Sequence, residues 1–246
     1  MTKTIFITGA TSGVGLLIAK KCIEAGHTVY ATGRNAATLQ TLQTLGAIPI
    51  EADLRDVASF ERVSAQLPTL DIVVFSAGVA TFKQANTLQP SEIDAMLDVN
   101  VRAPMHFVRH ITAKMPAGSQ FIFIGSQAGK VPTPKASVYA ATKFAIVGYV
   151  NGLRMELAKE GITVSAIHPG PIDTPFIDHA DTTGTYKQSL GRFLLKPEVV
   201  ADEVMTLMYT RKREVNLPRV MGISSKLYAI APALFERIAK PLFDKK

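Results

Sequence analysis

A glycine-rich turn near the amino terminus restricts the possible fold more than any other feature. Residues 3–8 are β-branched and aromatic, as in a short strand, and residues 16–25 have the apolar spacing of a helix. Between them, Gly9, Gly13 and Gly15 form a G-x-x-x-G-x-G pattern. Such glycines let the backbone approach a pyrophosphate, and the helix amino terminus offers free N–H groups. A merely tight turn is the alternative, but the strand–turn–helix context favours a phosphate-binding loop.

A tyrosine and a lysine four residues apart form the second feature. Residues 137–157 contain few helix breakers, so Tyr139 and Lys143 are predicted on one face of a long helix. A neighbouring ammonium would lower the tyrosine pKa from about 10 towards neutrality. Ser126 follows the apolar run 120–124, at the carboxyl end of a predicted strand, which is the ligand-binding edge of a parallel sheet. On its own, a tyrosine and a lysine at this spacing often occur by chance. The pair is informative only because the glycine turn precedes it in the same chain.

Composition limits the protein class. The 246 residues, 47% of them hydrophobic, suffice for one sizeable α/β domain. Cys22, the only cysteine, lies in an apolar run and is predicted to be a core residue. Since no internal disulfide can form and the chain enters a strand directly after Thr2-Lys3, we expect no signal sequence and a cytoplasmic location. The net charge of +7 is spread along the chain without an aromatic platform, so nucleic acid is not the expected partner.

Taken together, the glycine pattern, Ser126, Tyr139 and Lys143 resemble the short-chain dehydrogenase/reductase family over nearly the whole chain. The resemblance implies a single domain, residues 1–246, with an α/β Rossmann-type three-layer sandwich. Its seven-stranded parallel sheet would have the order 3-2-1-4-5-6-7, and two long helices would form a homodimer or homotetramer. One departure is Ser76 in Ser76-Ala77-Gly78, where the family usually has asparagine.

The resemblance also assigns chemistry. Tyr139 would transfer the proton and Ser126 would hydrogen-bond the reacting oxygen, while Lys143 would lower the tyrosine pKa and bind the nicotinamide ribose. Asn100, in a helix predicted at 90–110, would relay protons through water to the lysine. No metal is expected. The implied cofactor contacts are Gly9, Thr11, Ser12, Gly13, Val14, Gly15, Arg34, Asp53, Leu54, Ala77, Gly78, Tyr139, Lys143, Pro169, Gly170, Ile172 and Thr174.

The cofactor prediction depends on Arg34. It follows the predicted second strand, 27–31, where an acidic residue would accept the ribose 2′-hydroxyl of NAD, and no carboxylate is present there. A guanidinium instead suits a 2′-phosphate, so we predict NADP(H), with an ordinary surface arginine as the alternative. Asp53, after the strand 47–51, would contact the adenine by resemblance, or cap the helix starting near Asp56. These two roles are not exclusive.

Three further segments carry expectations. His168 precedes a Pro-Gly turn without nearby metal-ligand partners and is predicted to be structural. Residues 176–195 are predicted to form the substrate lid, whose mixed composition implies only a carbonyl or secondary alcohol with an apolar portion. The extension 218–246 reads as an amphipathic helix broken at Pro232 and Pro241. It would cover the cleft, join subunits or lie on an anionic membrane, and docking within the protein or its oligomer is favoured over peripheral membrane contact.

The sequence therefore predicts an NADP(H)-dependent oxidoreductase that transfers a hydride between nicotinamide and a carbonyl or secondary alcohol. The alternative is a non-catalytic, dinucleotide-sensing binding protein with the same fold. The set Asn100, Ser126, Tyr139 and Lys143 argues against this alternative, since a sensor has no need of a proton relay.

Overall fold

The computed structural model of the chain describes residues 2–181, 183–191 and 194–243. Its seven strands form one sheet in which all neighbours are parallel, in the order β3-β2-β1-β4-β5-β6-β7. The predicted fold is thereby confirmed. The strands are β1 (Thr4–Thr8), β2 (Thr28–Gly33), β3 (Ile48–Glu51), β4 (Ile72–Phe75), β5 (Gln120–Ile124), β6 (Thr163–Pro169) and β7 (Glu214–Leu217).

Helices cover both faces of this sheet. One apolar core joins the sheet to α3, α5 and α6, and a second joins it to α1, α2 and α9. Because central strands are buried on both faces, they are continuous apolar runs rather than alternating ones, and all four residues of β4 are buried. The helices are α1 (Gly13–Glu24), α2 (Ala36–Thr44), α3 (Ala58–Ala65), α4 (Pro90–Leu97), α5 (Ala103–Ile111), α6 (Ser137–Leu157), α7 (Pro175–Ala180), α8 (Thr185–Leu190), α9 (Pro197–Thr210), α10 (Arg219–Ile230) and α11 (Pro232–Phe243).

The long helix predicted at 90–110 is interrupted. Between α4 and α5, Asp98–Arg102 forms a turn of π-helix that contains Asn100. The turn is wider than an α-helical one, and such single π turns concentrate at functional sites. Sequence periodicity did not reveal it, because Val99 and Val101 fit an α-helix as well.

The strand order places the site. The chain runs outward from β1 to β3 on one side and from β4 to β7 on the other, so the order reverses between β1 and β4. Ligands of open parallel sheets bind in the crevice at the carboxyl ends of the strands beside such a reversal. At this edge lie the glycine turn after β1, Ser76 after β4, and Ser126 after β5.

The lid and the carboxyl-terminal segment differ from expectation. Two short helices, α7 and α8, occupy the region predicted as a loop, while residues 182, 192 and 193 of the predicted lid lie outside the described residues. The extension breaks at Pro232 as predicted, but α11 continues past the expected break at Pro241 to Phe243. Residues 244–246 also lie outside the described part.

Candidate active site

Ser126 and Tyr139 approach each other across the carboxyl edge of the sheet. Ser126 lies two residues beyond β5, and Tyr139 lies in the first turn of α6. The Ser126 hydroxyl is near enough to the Tyr139 phenol to lower its pKa, and the Ser126 Oγ accepts a hydrogen bond of 3.1 Å from the Ala128 N–H. That backbone bond fixes the serine rotamer, because Ser126 caps the short helical turn that follows it. Two hydroxyls that sequence separates by thirteen residues thus face one common point.

Lys143 lies one helical turn beyond Tyr139 and is 6% exposed. Its Nζ donates a hydrogen bond of 3.2 Å to the Ile124 carbonyl and lies 5.7 Å from the centroid of the Tyr139 ring. Burial lowers the pKa of Lys143 to about 8, because desolvation disfavours the ammonium. The lysine is therefore a nearby cation with an easily lost proton.

The expected lowering of the tyrosine pKa is wrong for this structure. Burial raises the pKa of Tyr139 to about 12, and the hydrogen bond from Ser126 offsets only part of that effect. The lysine nitrogen bonds the end of β5 and lies over the face of the phenol ring, so its charge does not outweigh the desolvation of a phenolate. At neutral pH, Tyr139 is consequently a protonated donor.

Asn100 is held by three hydrogen bonds from the π turn. Its Oδ1 accepts from the Val79 N–H at 2.8 Å, and its Nδ2 donates to the Val79 carbonyl at 2.8 Å and to the Thr142 Oγ1 at 3.0 Å. Thr142 in turn donates to the Tyr139 carbonyl at 2.7 Å. The side chain thus joins the loop after β4 to α6. Its role as a proton relay stays a prediction.

Gly78 separates Asn100 from Lys143. A Cβ at this position would lie 3.5 Å from the Asn100 Oδ1 and 3.7 Å from the Lys143 Nζ, so a larger side chain would fill the space in front of both. The preceding turn is held by Thr8, whose Oγ1 accepts from the N–H groups of Ser76 and Ala77 at 3.2 Å each. Sequence reasoning missed Thr8. Its one signal was a polar residue directly after the apolar run Ile5-Phe6-Ile7, at the end of the strand.

The glycine turn packs tightly on its neighbours. A Cβ on Gly9, whose φ is +68°, would lie 2.6 Å from the Ala77 Cα, and one on Gly15 would lie 2.2 Å from the Gly9 carbonyl oxygen. Thr11 packs against Gly33 at the end of β2, while Val14 is buried. The first turn of α1 contains no acidic residue, and Ser12 makes no side-chain cap. Its N–H groups therefore suit an anionic ligand.

The adenosine side of the crevice carries two arginines. Arg34 follows β2 and is exposed. Asp53 pairs with Arg55, whose Nη2 lies 2.5 Å from its carboxylate, and this pairing lowers the pKa of Asp53. The possible capping role of Asp53 is wrong, because the Asp56 carboxylate instead accepts from the Ala58 N–H at the start of α3. Leu54, the other predicted contact here, is buried.

The turn after β6 closes over the glycine loop. The Thr174 side chain lies 3.5 Å from the position of a Cβ on Gly13. The Gly170 N–H donates to the Leu217 carbonyl at 2.7 Å, which ties the Pro169–Gly170 turn to β7. Ile172 pairs with Leu195 in an isolated parallel bridge. These contacts bring all the predicted nicotinamide-side residues to the same edge as Tyr139.

His168 belongs to a polar network under this turn. It is 2% exposed, and burial, assisted by Lys130, lowers its pKa to about 4, so the imidazole is neutral. The Gln127 Nε2 donates to the His168 carbonyl at 2.7 Å and to the Asn216 Oδ1 at 2.9 Å. Lys130 forms an ion pair with Glu214. Sequence reasoning missed Gln127, which locks the turn next to Ser126 onto β6 and β7.

Aromatic side chains line the approach to Tyr139. The centroids of the Phe82 and Phe176 rings each lie 5.8 Å from that of Tyr139, and Tyr186 packs edge-on against Phe82 at 5.0 Å. The Phe82 N–H also donates to the Ala180 carbonyl at 2.8 Å. Phe82 was missed from the sequence, because nothing local distinguishes it from an ordinary loop residue.

Asp181 connects the helices α7 and α8. This carboxylate, 8% exposed, accepts from the Thr183 N–H at 3.0 Å, the Thr183 hydroxyl at 2.5 Å and the Tyr186 N–H at 2.7 Å. The bonds join the end of α7 to the start of α8. Within the described ranges, no group of three or more His, Cys, Asp or Glu side chains is arranged to hold a metal ion, and no helix is long and apolar enough to cross a membrane.

Comparisons with known proteins agree with this architecture. The chain matches the short chain dehydrogenase family over residues 3–183. It is 32% identical over 260 residues to the uncharacterized oxidoreductase YxnA of Bacillus subtilis (strain 168), covering 99% of this chain and 72% of that protein. It is 34% identical over 176 residues to a cyclic-di-GMP-binding biofilm dispersal mediator protein of Escherichia coli (strain K12), covering 70% and 74%.

A solved structure is similar throughout the fold. The closed form of serine dehydrogenase complexed with NADP+ superposes with a TM-score of 0.78 at 28% identity, covering 87% of this chain and 93% of the other. The sheet order, the site at its carboxyl edge and the family match together identify the protein: this chain belongs to the short-chain dehydrogenase/reductase family of oxidoreductases.

Proposed function

We propose that the protein is an NADP(H)-dependent oxidoreductase that interconverts a carbonyl compound and its secondary alcohol, with Tyr139 as general acid and base. The observation that carries this proposal is the meeting of the Ser126 and Tyr139 hydroxyls beside the buried ammonium of Lys143, whose Nζ lies 5.7 Å from the Tyr139 ring. A binding site alone needs no such pair. A carbonyl oxygen placed between the two hydroxyls would accept from both.

A reduced nicotinamide cofactor, when bound, would supply the hydride. Ser126 donates a hydrogen bond to the carbonyl oxygen as negative charge develops there, a type of contribution worth about 10²–10³ in rate. Tyr139 then gives its proton to that oxygen. Its pKa of about 12 keeps the phenol protonated at neutral pH, as donation of a proton to the carbonyl oxygen requires. Lys143 compensates the negative charge left on the phenolate and binds the nicotinamide ribose.

The glycine turn, the start of α1 and the segment Pro169–Thr174 would hold the dinucleotide. The close packing of Gly9 and Gly15, and the uncapped first turn of α1, fit its pyrophosphate. Thr174 beside Gly13 and the backbone of Ile172 suit the carboxamide end, while Asp53 and Leu54 suit the adenine. The NADP+ bound to the similar serine dehydrogenase supports a nicotinamide dinucleotide in this position.

The preference for NADP(H) follows from Arg34. The side chain is exposed at the end of β2, while the neighbouring Asn35 is occupied in capping α2, where its Oδ1 accepts from the Thr38 N–H at 2.9 Å. A charge-assisted contact to a 2′-phosphate contributes about 1.5–3 kcal/mol, or roughly 10- to 100-fold in affinity. Comparing kcat/KM for NADPH and NADH in the wild type and in Arg34→Ala tests this preference. Equal use of both cofactors by the wild type would contradict it.

The aromatic wall defines the substrate class. Phe82, Phe176 and the ring of Tyr186 face the approach to Tyr139, so the group flanking the reacting carbonyl is apolar, either aliphatic or aromatic. We assign α7 and α8 to a substrate lid within a single domain. A panel of ketones and aldehydes, monitored through NADPH absorbance, would rank apolar above charged substrates.

A second function from another class is favoured by one observation. A relative at 34% identity is named as binding cyclic-di-GMP and mediating biofilm dispersal, which fits a nucleotide sensor that retains the fold. The sensor and the enzyme both require the glycine turn, so only the chemistry of the hydroxyl pair distinguishes them. The enzyme is our conclusion, because Ser126 meets the buried side chains of Tyr139 and Lys143 in one site.

Tyr139→Phe tests this conclusion. The change removes one hydroxyl, and we expect NADPH binding to stay within about twofold while turnover falls by about 10²–10⁴. Tyr149→Phe on the same helix is the matched control, since this tyrosine packs against Phe123 in the core and should leave turnover unchanged. A fully active Tyr139→Phe protein would overturn the assignment, as would a wild type that binds NADPH but reduces no carbonyl in the panel.

We also propose that the protein is a cytoplasmic homodimer or homotetramer assembled through its long helices. Leu97, Phe144 and Met155 are exposed apolar residues on this part of the surface, at 43%, 42% and 73%. Light scattering of the wild type and of Met155→Glu would test the interface, with a smaller species expected for the variant.

A further inference from the structure

The last two helices present a row of aliphatic side chains to solvent. This row, called here the C-terminal stripe, consists of residues exposed by 56–82%. Four of its members share one face of α10 and two lie one turn apart on α11: Val220, Ile223, Leu227 and Ile230, then Leu234 and Ile238. Single exposed aliphatic residues are common on proteins, but six on two consecutive helices are a concentration of exposed apolar surface.

The opposite side of these helices is the side that packs on the protein. The Met221 Sδ would lie 2.9 Å from a Cβ on Gly170, and a Cβ on Gly222 would lie 3.1 Å from the Asn216 side chain. Ser225 and Ala239 are buried. The side of these helices that packs on the protein is therefore a different side from the one that carries the stripe. The expectation that this segment docks within the protein or its oligomer therefore holds within the chain for one side of the helices, and docking of the stripe in an oligomer stays a prediction.

Positive charge accompanies the stripe. Residues 219–246 contain six Lys or Arg and two Asp or Glu residues, a net charge of +4 out of the +7 of the whole chain. Arg219, Lys226, Arg237 and Lys240 belong to α10 and α11, and the one carboxylate of these two helices, Glu236, accepts from the Tyr228 hydroxyl at 3.0 Å. More than half of the net charge thus lies in about a ninth of the chain.

We infer that the C-terminal stripe binds an anionic lipid surface. Helices that lie in a membrane interface combine an apolar face with flanking Lys and Arg residues and low overall hydrophobicity. The basic residues supply the attraction to acidic headgroups, and the aliphatic residues enter the acyl boundary. Each helix spans twelve residues, which suits binding along the surface rather than insertion across it.

A second copy of the chain fits the surface less well. Two-fold pairing brings the same patch of both protomers together, so the basic residues of one stripe would face those of the other. Interface cores are also depleted of lysine, and their binding energy comes from Trp, Tyr and Arg more than from Leu and Val. Charge complementarity therefore favours an acidic lipid surface.

This inference goes beyond the proposed oxidoreductase function and does not depend on it. Flotation of the full-length protein with vesicles tests it. We expect binding to vesicles that contain an anionic phospholipid, much weaker binding to purely zwitterionic vesicles, and loss of binding at high salt. The double variant Ile230→Ser/Ile238→Ser should weaken binding at least about tenfold, because two aliphatic side chains no longer enter the lipid.

The matched control is Leu45→Ser/Val57→Ser, which removes two exposed aliphatic residues outside the stripe and should bind like the wild type. Unchanged circular dichroism melting establishes that the stripe variant still folds. Wild-type protein that stays unbound from anionic vesicles overturns the inference. Concentration-dependent self-association that is lost in the stripe variant, without vesicle binding, also overturns it and assigns the stripe to a second copy.

Discussion

Replacing Lys143 with methionine should stabilise the folded protein at neutral pH even as it abolishes catalysis. The pKa of the buried ammonium falls from 10.5 to about 8 because of desolvation. This difference of about 2.5 pKa units, at 1.36 kcal/mol each, corresponds to roughly 3 kcal/mol of folding free energy. Methionine also loses the bond to the Ile124 carbonyl, worth about 1 kcal/mol, so we expect a net gain of about 2 kcal/mol at pH 7.

The sign of this effect reverses with pH. A lysine whose folded pKa lies below its unfolded value destabilises the protein fully below pH 8, and the cost disappears as the pH rises towards 10.5. At pH 10 the variant should therefore have lost its advantage. Measurements above pH 10 would include a second effect. Because burial raises the pKa of Tyr139 to about 12, its phenol ionises more readily in the unfolded chain, and the folded protein loses stability between pH 10 and about 12.

Urea unfolding at pH 7 and pH 10, followed by circular dichroism, measures both values. Lys159→Met, at an exposed position just beyond α6, is the control and should show no such change between the two pH values. The reasoning is refuted if Lys143→Met is less stable than the wild type at pH 7, or if the difference between the two proteins does not depend on pH.

Three further substitutions probe how the site is held. Gly15→Ala places a Cβ 2.2 Å from a backbone carbonyl and should weaken NADPH binding at least about tenfold by calorimetry, whereas Gly148→Ala, with open space around it, should bind normally. Thr142→Val removes the acceptor for Asn100 and should lower the free energy of unfolding by about 1–2 kcal/mol and reduce kcat, with NADPH affinity unchanged; an unaltered kcat would argue against this contact. Asp181→Ala should raise the KM for the carbonyl substrate roughly tenfold with little effect on kcat, and an unchanged KM would separate the lid from substrate binding.

Local sequence signals predicted the frame of the molecule well. The bounds of α6 and β5 match the predicted ranges, because helical spacing and apolar runs are properties of neighbouring residues. The glycine turn was likewise predicted from the spacing of its glycines between a strand and a helix. The sheet order came from the family resemblance, which those same motifs supported.

Features created by distant contacts were not predictable in this way. Gln127 and Asn216 lie 89 positions apart, and their hydrogen bond depends on how β7 joins the sheet. The π turn around Asn100 depends on its bonds to Val79 and Thr142. The direction of the Tyr139 pKa was also missed, since sequence spacing gives the distance to a charge but not the loss of solvent.

Phe82 lies at the proposed entrance for the substrate but takes no part in the proposed reaction. Its ring touches Tyr139 and Tyr186, and its amide bonds the carbonyl of Ala180, yet it belongs to a loop and carries no reacting group. One substitution at Phe82 would change the shape of the entrance and remove a ring contact to Tyr186, while Tyr139 would keep its hydroxyl. Related enzymes could thus acquire new substrates through this single position, with the reaction itself inherited intact.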